Sequence, residues 1–156
     1  MREILYKGKR KDNGEWVEGY YVYRGEEYST IDTNAHFIVA HDMCGLIWYE
    51  VIPESVSEFT GLPDNNGKKI FEGDIVKAVF KPYFIGSYAI GKVVFENGTF
   101  KIAVYQSKNA STYKKFTKET ARAYSIENNF IDRNYSLEVI GNIHDNPELL
   151  KGGDEK

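Results

Sequence analysis

Three Asn-Gly dipeptides punctuate this chain, at Asn13-Gly14, Asn66-Gly67 and Asn97-Gly98. Both residue types enter the left-handed backbone region at little cost, and tight hairpin turns require that region. Short runs rich in Val, Ile, Tyr, Phe and Trp lie around them, as in Trp16-Val17-Glu18-Gly19-Tyr20-Tyr21-Val22-Tyr23. Turn residues at such intervals leave no room for long helices and predict a mainly β fold of antiparallel strands. The aromatic content, twelve Tyr, nine Phe and two Trp in 156 residues, points the same way. A chain of this length forms one domain or two small ones, and buries enough surface to need no disulfide or metal staple.

The strands follow from the turns. Residues 3–9 are expected to pair with 15–23 across Asn13-Gly14. Phe37-Ile38-Val39-Ala40 and Leu46 to Ile52 read as a third and fourth strand, with Cys44-Gly45 in the turn between them. Pro53 to Phe59 reads as a connector. A second unit begins near Thr60, with strands at Lys68–Phe71 and Asp74–Phe80 joined through Glu72-Gly73. The strongest hairpin joins Gly91–Phe95 to Thr99–Val104 through Asn97-Gly98, and Leu137 to Ile143 closes the series. The expectation is an N-terminal antiparallel β unit over 1–58, a small SH3-like or barrel-like β unit over 59–150, and a frayed tail over 151–156. A single domain over 1–150 stays open as the alternative. One short helix is expected within Phe116–Asn129. Another starts at Asn146, where Asn caps, Pro147 fits the first turn and Glu148 suits the dipole. Val17-Glu18-Gly19-Tyr20 and Phe71-Glu72-Gly73-Asp74 echo one another faintly, which shared turn chemistry explains.

Most catalytic and metal chemistries lack their residues. Net charge is −3 with pI near 5.7, so a wholly basic nucleic-acid binder is not expected. One cysteine, Cys44, forms no internal disulfide, redox pair or zinc site, and reads as a small buried hydrophobe in an intracellular protein. No apolar run is long enough for a membrane span, and the start, Met1 to Lys7, lacks the apolar centre of a signal peptide. His36 and His41 are an odd number of positions apart, which puts them on opposite faces of a strand. His41 and Cys44 are near in sequence but show no third group to orient a base. Aligning Gly67 with the glycine of a calcium loop puts Leu62 and Gly73 where ligands should be, so Asp64-Asn65-Asn66-Gly67 is a turn. Glu72 and Asp74 are assigned to solubility or to the N–H groups of their turn. No cofactor and no metal site are expected.

One stretch carries a candidate surface. Between Tyr105 and Tyr124, Lys108, Lys114, Lys115, Lys118 and Arg122 interleave with Tyr105, Tyr113, Phe116 and Tyr124. Cations neutralise phosphates and rings stack on unpaired bases. The same residues also suit a solvated loop over aromatic core residues. Tyr113 and the basic residues are therefore the candidate contacts for a nucleic acid or a protein partner. Lys7, Lys9, Arg10 and Lys11 read as a charged edge device.

Met1 to Arg10, Gly14 to Gly19, Thr60-Gly61-Leu62-Pro63-Asp64, Asn66 to Val76 and Val139 to Leu150 together resemble the YopX family of bacteriophage and prophage proteins. The resemblance covers about 1–150. It implies a phage-encoded protein in the cytoplasm of a bacterial host. It brings no catalytic residue, cofactor or activity with it. The chain is therefore expected to be a non-enzymatic binding or interaction module. A nucleic-acid-binding module using 105–124 and an enzyme with an unrecognised site stand as alternatives. A protein partner or a second copy is expected, with contacts on the Trp16–Tyr23 and Trp48–Ile52 strands, and no membrane.

Overall fold

The first hairpin forms where its turn residues put it. In the computed structural model, which describes residues 3–25, 34–80, 87–109, 112–115, 122–125 and 135–151, β1 (Tyr6–Lys9) pairs antiparallel with β2 (Trp16–Arg24). Around Asn13-Gly14 the loop is closed by hydrogen bonds from Arg10 N–H to Glu15 O and from Gly14 N–H to Arg10 O. β2 then changes partner: Trp16–Gly19 face β1, and Tyr20–Arg24 face β3 (Ala35–Asp42). β3 turns through Met43-Cys44 into β4 (Gly45–Glu50).

The expected connector is shorter than 53–59. Pro53–Ser55 is a single 3-10 turn, and Ser57 already opens β5 (Ser57–Pro63). Its serines are buried acceptors and donors rather than loop residues. Ser55 Oγ accepts the Lys9 N–H at 2.7 Å and donates to Ile52 O, while Ser57 Oγ donates to Ser55 O. Each hydroxyl thus satisfies a backbone group that the kink would otherwise leave unpaired. β5 pairs β1, so the sheet of this unit runs β4-β3-β2-β1-β5. β1 is interior, which corrects the reading of Lys7 to Lys11 as an edge device; the terminal strand is β4.

The chain divides into two compact units, Met1–Gly61 and Leu62–Lys156. In the second, β6 (Lys69–Phe71) turns through Glu72-Gly73 into β7 (Asp74–Phe80). β8 (Tyr88–Glu96) and β9 (Thr99–Asn109) form the longest hairpin. At its tip Asn97 (φ 54°) and Gly98 (φ 78°) both adopt positive φ, as a two-residue hairpin turn of this hand demands. β10 (Thr112–Lys115) and β11 (Arg122–Ser125) pair with successive parts of β9, and β12 (Tyr135–Asn142) pairs with β7. The order is β10-β9-β8-β7-β12, with β11 on β9. The fold is mainly antiparallel β, but the described strands form open sheets and close no barrel, so the barrel-like expectation is corrected. Within 116–129, where one short helix was expected, Arg122 to Ser125 form strand β11 and continue the ladder on β9; the rest of that segment, and the helix expected there, lie outside the described residues. Among the described residues α1 (Glu148–Lys151) is the one α-helix, following Asn146-Pro147 as expected. The faint echo is no repeat: Gly19 lies inside β2, whereas Glu72-Gly73 is a turn.

The core of the second unit gathers Ile70, Val76, Ala78, Ala89, Val93, Phe100, Ile102, Val104, Leu137 and Val139. A polar clip fastens β12 to it. Asp64 is buried and accepts three backbone N–H groups: Asn66 and Lys68 on Oδ1, and Val139 on Oδ2 at 3.0 Å. Beside it, Asn65 exchanges bonds with Leu137 in both directions. Asp74 accepts the Phe71 N–H across the Glu72-Gly73 turn, one of the two roles its sequence position allowed.

Candidate functional site

Side chains alternate along a strand, so the register of the first unit sorts its residues onto two faces. The rows Lys7↔Glu18 and Lys9↔Trp16 join Tyr20↔Val39↔Trp48, Val22↔Phe37↔Glu50, Arg24↔Ala35 and His41↔Leu46 on one of them. On the other, the Tyr6 and Tyr21 rings are 5.6 Å apart, so the alternation runs unbroken through Gly19, where β2 changes partner.

The first face is rich in exposed rings and cations. Tyr20 is 62% exposed, Leu46 63% and Trp48 48%. Lys7 Nζ and Lys9 Nζ stand 4.9 and 5.8 Å from the centre of the Trp16 ring. The Arg24 guanidinium is 5.9 Å from Phe37 and 5.8 Å from Trp48, and those two rings meet edge to face at 5.8 Å. Such contacts are attractive because the ring face carries partial negative charge. They also hold the cations close to a surface that water covers.

At the end of β4 the face meets a cleft of about 420 Å³ lined by Arg10, Lys11, Asp12, Trp48, Tyr49 and Glu50. Its charges are matched. Arg10 Nε donates to Asp12 Oδ1 at 2.9 Å while the guanidinium lies over Tyr49, and Lys11 Nζ pairs with Glu50 at 2.6 Å. The hydrogen bonds from Arg10 hold the Asp12 carboxyl below the usual carboxylate range. Cation positions here are thus fixed by carboxylates.

The opposite face holds a packed aromatic cluster. The Tyr21 hydroxyl is hydrogen-bonded to His36 Nδ1 at 2.7 Å, and Tyr23 donates to Asn34. Burial, then the neighbouring Tyr23 and Tyr6, push the Tyr21 phenol up, so it keeps its proton at neutral pH. His36 and His41 fall in rows on opposite faces of β3, as their odd spacing implies. Cys44 is exposed in the β3–β4 turn and its N–H donates to Asp42, which corrects its reading as a buried hydrophobe. Among the described residues, no group of three or more His, Cys, Asp or Glu side chains is placed to hold a metal ion.

The basic and aromatic residues of 105–124 are only partly assembled. Tyr113 stands opposite Lys108, and Lys108 opposite Tyr88, in one row across β10, β9 and β8. Lys115 stands opposite Gln106 and Lys114 opposite Ser107, in adjacent rows. Arg122 faces Val104, a core position. Lys118 lies outside the described residues. An added cation comes from β7: Lys77 Nζ is 5.1 Å from the Tyr88 ring. The candidates thus divide between rows, while Trp16, Tyr20, Arg24, Phe37 and Trp48 share one face; Trp16, Tyr20 and Trp48 lie on the two strands expected to make contacts, whereas Arg24 and Phe37 were not singled out. Their signal was the step of two along Trp16-x-Glu18-x-Tyr20-x-Val22-x-Arg24, combined with the hairpin register that puts Lys7 and Lys9 alongside.

No described helix is long and apolar enough to cross a membrane. Comparison with curated proteins found no match. Among solved structures, the crystal structure of protein EF1440 from Enterococcus faecalis is similar at 20% identity and a TM-score of 0.48, over 96% of this chain and 99% of that one. A family model described as YopX protein matches residues 5–151. With nearly the whole chain matched, in agreement with the motif residues, this protein belongs to the YopX family.

Proposed function

We propose that this chain is a non-enzymatic binding module of a phage-type protein, acting in the cytoplasm of the host cell through the ring-and-cation face of its first unit. The observation that carries the reading is the exposure of Tyr20 and Trp48 beside Arg24 on a sheet face. Tyr, Trp and Arg dominate binding energies because they offer large, stiff contact area with a polar or charged end. Membership of the YopX family supports a phage-type protein. The face holds the ingredients of recognition and no nucleophile with an oriented base.

Hydroxyl-radical footprinting tests this without knowledge of the ligand. Trp16, Tyr20 and Trp48 are expected to be protected when the protein is placed in bacterial cell extract instead of buffer. Tyr21, half-buried on the opposite face, serves as the reference. Equal modification of all four in both media would reject the binding face.

Self-association is favoured by a separate observation. β4 ends its sheet, with Leu46 and Trp48 exposed along it. An open edge presents unpaired N–H and C=O groups to a second copy. Light scattering is expected to give a multiple of 17.9 kDa at micromolar concentration, reduced to the single-chain mass by Leu46→Lys. A wild-type mass already at 17.9 kDa would count against it. Tyr21 is no place for such a test, since its hydroxyl is tied to His36.

A further inference from the structure

We infer that two copies join through β4, antiparallel about a two-fold axis at Ile47, an inference that rests on the self-association reading above. The ladder between β3 and β4 fixes which main-chain groups are free. Val51 donates its N–H to His36 O, so the bonds between these strands recur at every second pair, Ile38↔Tyr49, Ala40↔Ile47 and Asp42↔Gly45. The N–H and C=O groups of Leu46, Trp48 and Glu50 therefore point away from β3. Lys11 already sits on that side of Glu50, whose O accepts its N–H. At the other end the strand runs into the Met43-Cys44 turn. Leu46 and Trp48 are left, and among the described residues no strand pairs with them on that edge.

A second copy fits this short stretch in one register. With Ile47 opposite the partner's Ile47, Leu46 exchanges both its bonds with the partner's Trp48, and Trp48 does so with the partner's Leu46. Centring the axis on Trp48 would bring the partner's Leu46 to Glu50, where Lys11 sits. Centring it on Leu46 would set Trp48 against the turn at Cys44, whose N–H is bonded to Asp42. The side chains favour the same register. Leu46 and Trp48 share a face, so each Trp48 ring meets the partner's Leu46 there. On the other face Tyr49 comes opposite the partner's Gly45, where a Cβ would meet nothing within 4 Å and a ring has room. Gly45 to Tyr49 carries no charge, so the two-fold sets no like charges opposite one another. Beyond it, the cleft beside Tyr49 and Glu50 lies where the partner's turn arrives, with Met43 fully exposed at its tip. A foreign strand would find the same hydrogen bonds but not these pairings. The two ring-and-cation faces then run on as one surface across the axis.

The test is disulfide trapping in the full chain, with Cys44→Ser removing the native thiol. Ile47 and the partner's Ile47 form a pair without ladder bonds, with Cα atoms about 4.5 Å apart. That lies within the roughly 4.4–6.8 Å a disulfide spans. Ile47→Cys is therefore expected to give a covalent dimer on mild oxidation. The two Trp48 positions lie about 8 Å apart on the diagonal, beyond that reach, so Trp48→Cys should stay a single chain. Hydrogen exchange of the wild-type chain gives a second reading should Ile47→Cys fail to fold. The Leu46 and Trp48 amides should exchange about tenfold more slowly in concentrated than in dilute protein, as where roughly nine chains in ten are paired. The Ile47 and Tyr49 amides, bonded to β3, should exchange alike in both. A folded Ile47→Cys that does not link, a Trp48→Cys that links to itself, or equal exchange of Leu46 and Trp48 at both concentrations would each overturn the inference. Light scattering that still gave a multiple of 17.9 kDa would then spare self-association, whereas a mass of 17.9 kDa would remove both.

Discussion

Asp64→Ala is expected to unfold the second unit at temperatures where the first still melts normally. The carboxylate is 5% exposed and serves three N–H donors, two from its own loop and one from β12. Removing it strands those donors at once, and each buried N–H left without an acceptor costs roughly 1–3 kcal/mol. Partial access of water reduces the sum, so a loss of about 3 kcal/mol is expected in urea denaturation. Asp64→Asn sharpens the test. Its oxygen can still serve Asn66 and Lys68, but its NH₂ would then meet the Val139 N–H, donor against donor. The near-isosteric change should therefore be almost as damaging as alanine. An Asn variant of wild-type stability would show that the clip contributes little.

The same site sets a pH dependence. Burial alone would push the Asp64 carboxyl up, but the bonds from Val139, Lys68 and Asn66 together outweigh it, and Lys68 adds its charge, so the group lies below its ordinary value. A carboxyl depressed in the folded state is protonated first in the unfolded one. Its contribution is complete above about pH 4, the ordinary Asp value, and is lost as pH falls through the depressed value. Stability of the second unit should drop over that acid window in the wild type, and less steeply in Asp64→Asn.

How much of this was legible beforehand depends on the range of the interaction. The hairpin turns at Asn13-Gly14 and Asn97-Gly98 were readable because their cause lies in two adjacent residues. The turn at Asp64 to Gly67 was readable for the same reason, yet its main work was not. The bond to Val139 crosses 75 positions, and nothing local announces it. Within 116–129, where Phe116, Ala123 and Ile126 suggested one short helix, Arg122 to Ser125 alone are described, and they are strand. Pairing of Arg122 to Ser125 with β9 decides the outcome there, a tertiary gain that overrides weak local preference. The candidate face was hidden differently. Each of its rings was visible in the sequence, but only the registers of β1, β2, β3 and β4 put them together. The 105–124 stretch looked stronger because its residues are neighbours in sequence, although the ladder then sends Lys114 and Lys115 to alternate rows.

Glycine positions inside the strands give the sharpest test of those registers. A Cβ on Gly19 would lie 2.3 Å from the Val39 carbonyl oxygen, and one on Gly91 would lie 2.5 Å from that of Ala103. Both obstacles are backbone, so no rotamer change relieves them; the strands must separate. At Gly8 the obstacle is the Val51 side chain at 3.1 Å, which can shift by a few tenths of an ångström. At Gly25 the nearest atom is on the Tyr23 ring at 3.4 Å, an ordinary contact. Alanine substitutions should therefore rank in the order Gly25, Gly8, then Gly91 and Gly19 together. Gly25→Ala is expected within about 0.5 kcal/mol of wild type, as for surface changes generally. Gly19→Ala and Gly91→Ala should each cost roughly 3 kcal/mol or more, at the upper end of overpacking. In a unit of this size that lowers its melting temperature by more than about 10 °C. Differential scanning calorimetry distinguishes the two, since Gly19 lies in the first unit and Gly91 in the second. Hydrogen exchange then locates the damage: Gly19→Ala should expose the amides of β2 and β3, and Gly91→Ala those of β8 and β9. A Gly19→Ala protein that melts like Gly25→Ala would mean that β2 and β3 are not paired with Tyr20 against Val39, and the ring-and-cation face would lose its register with them.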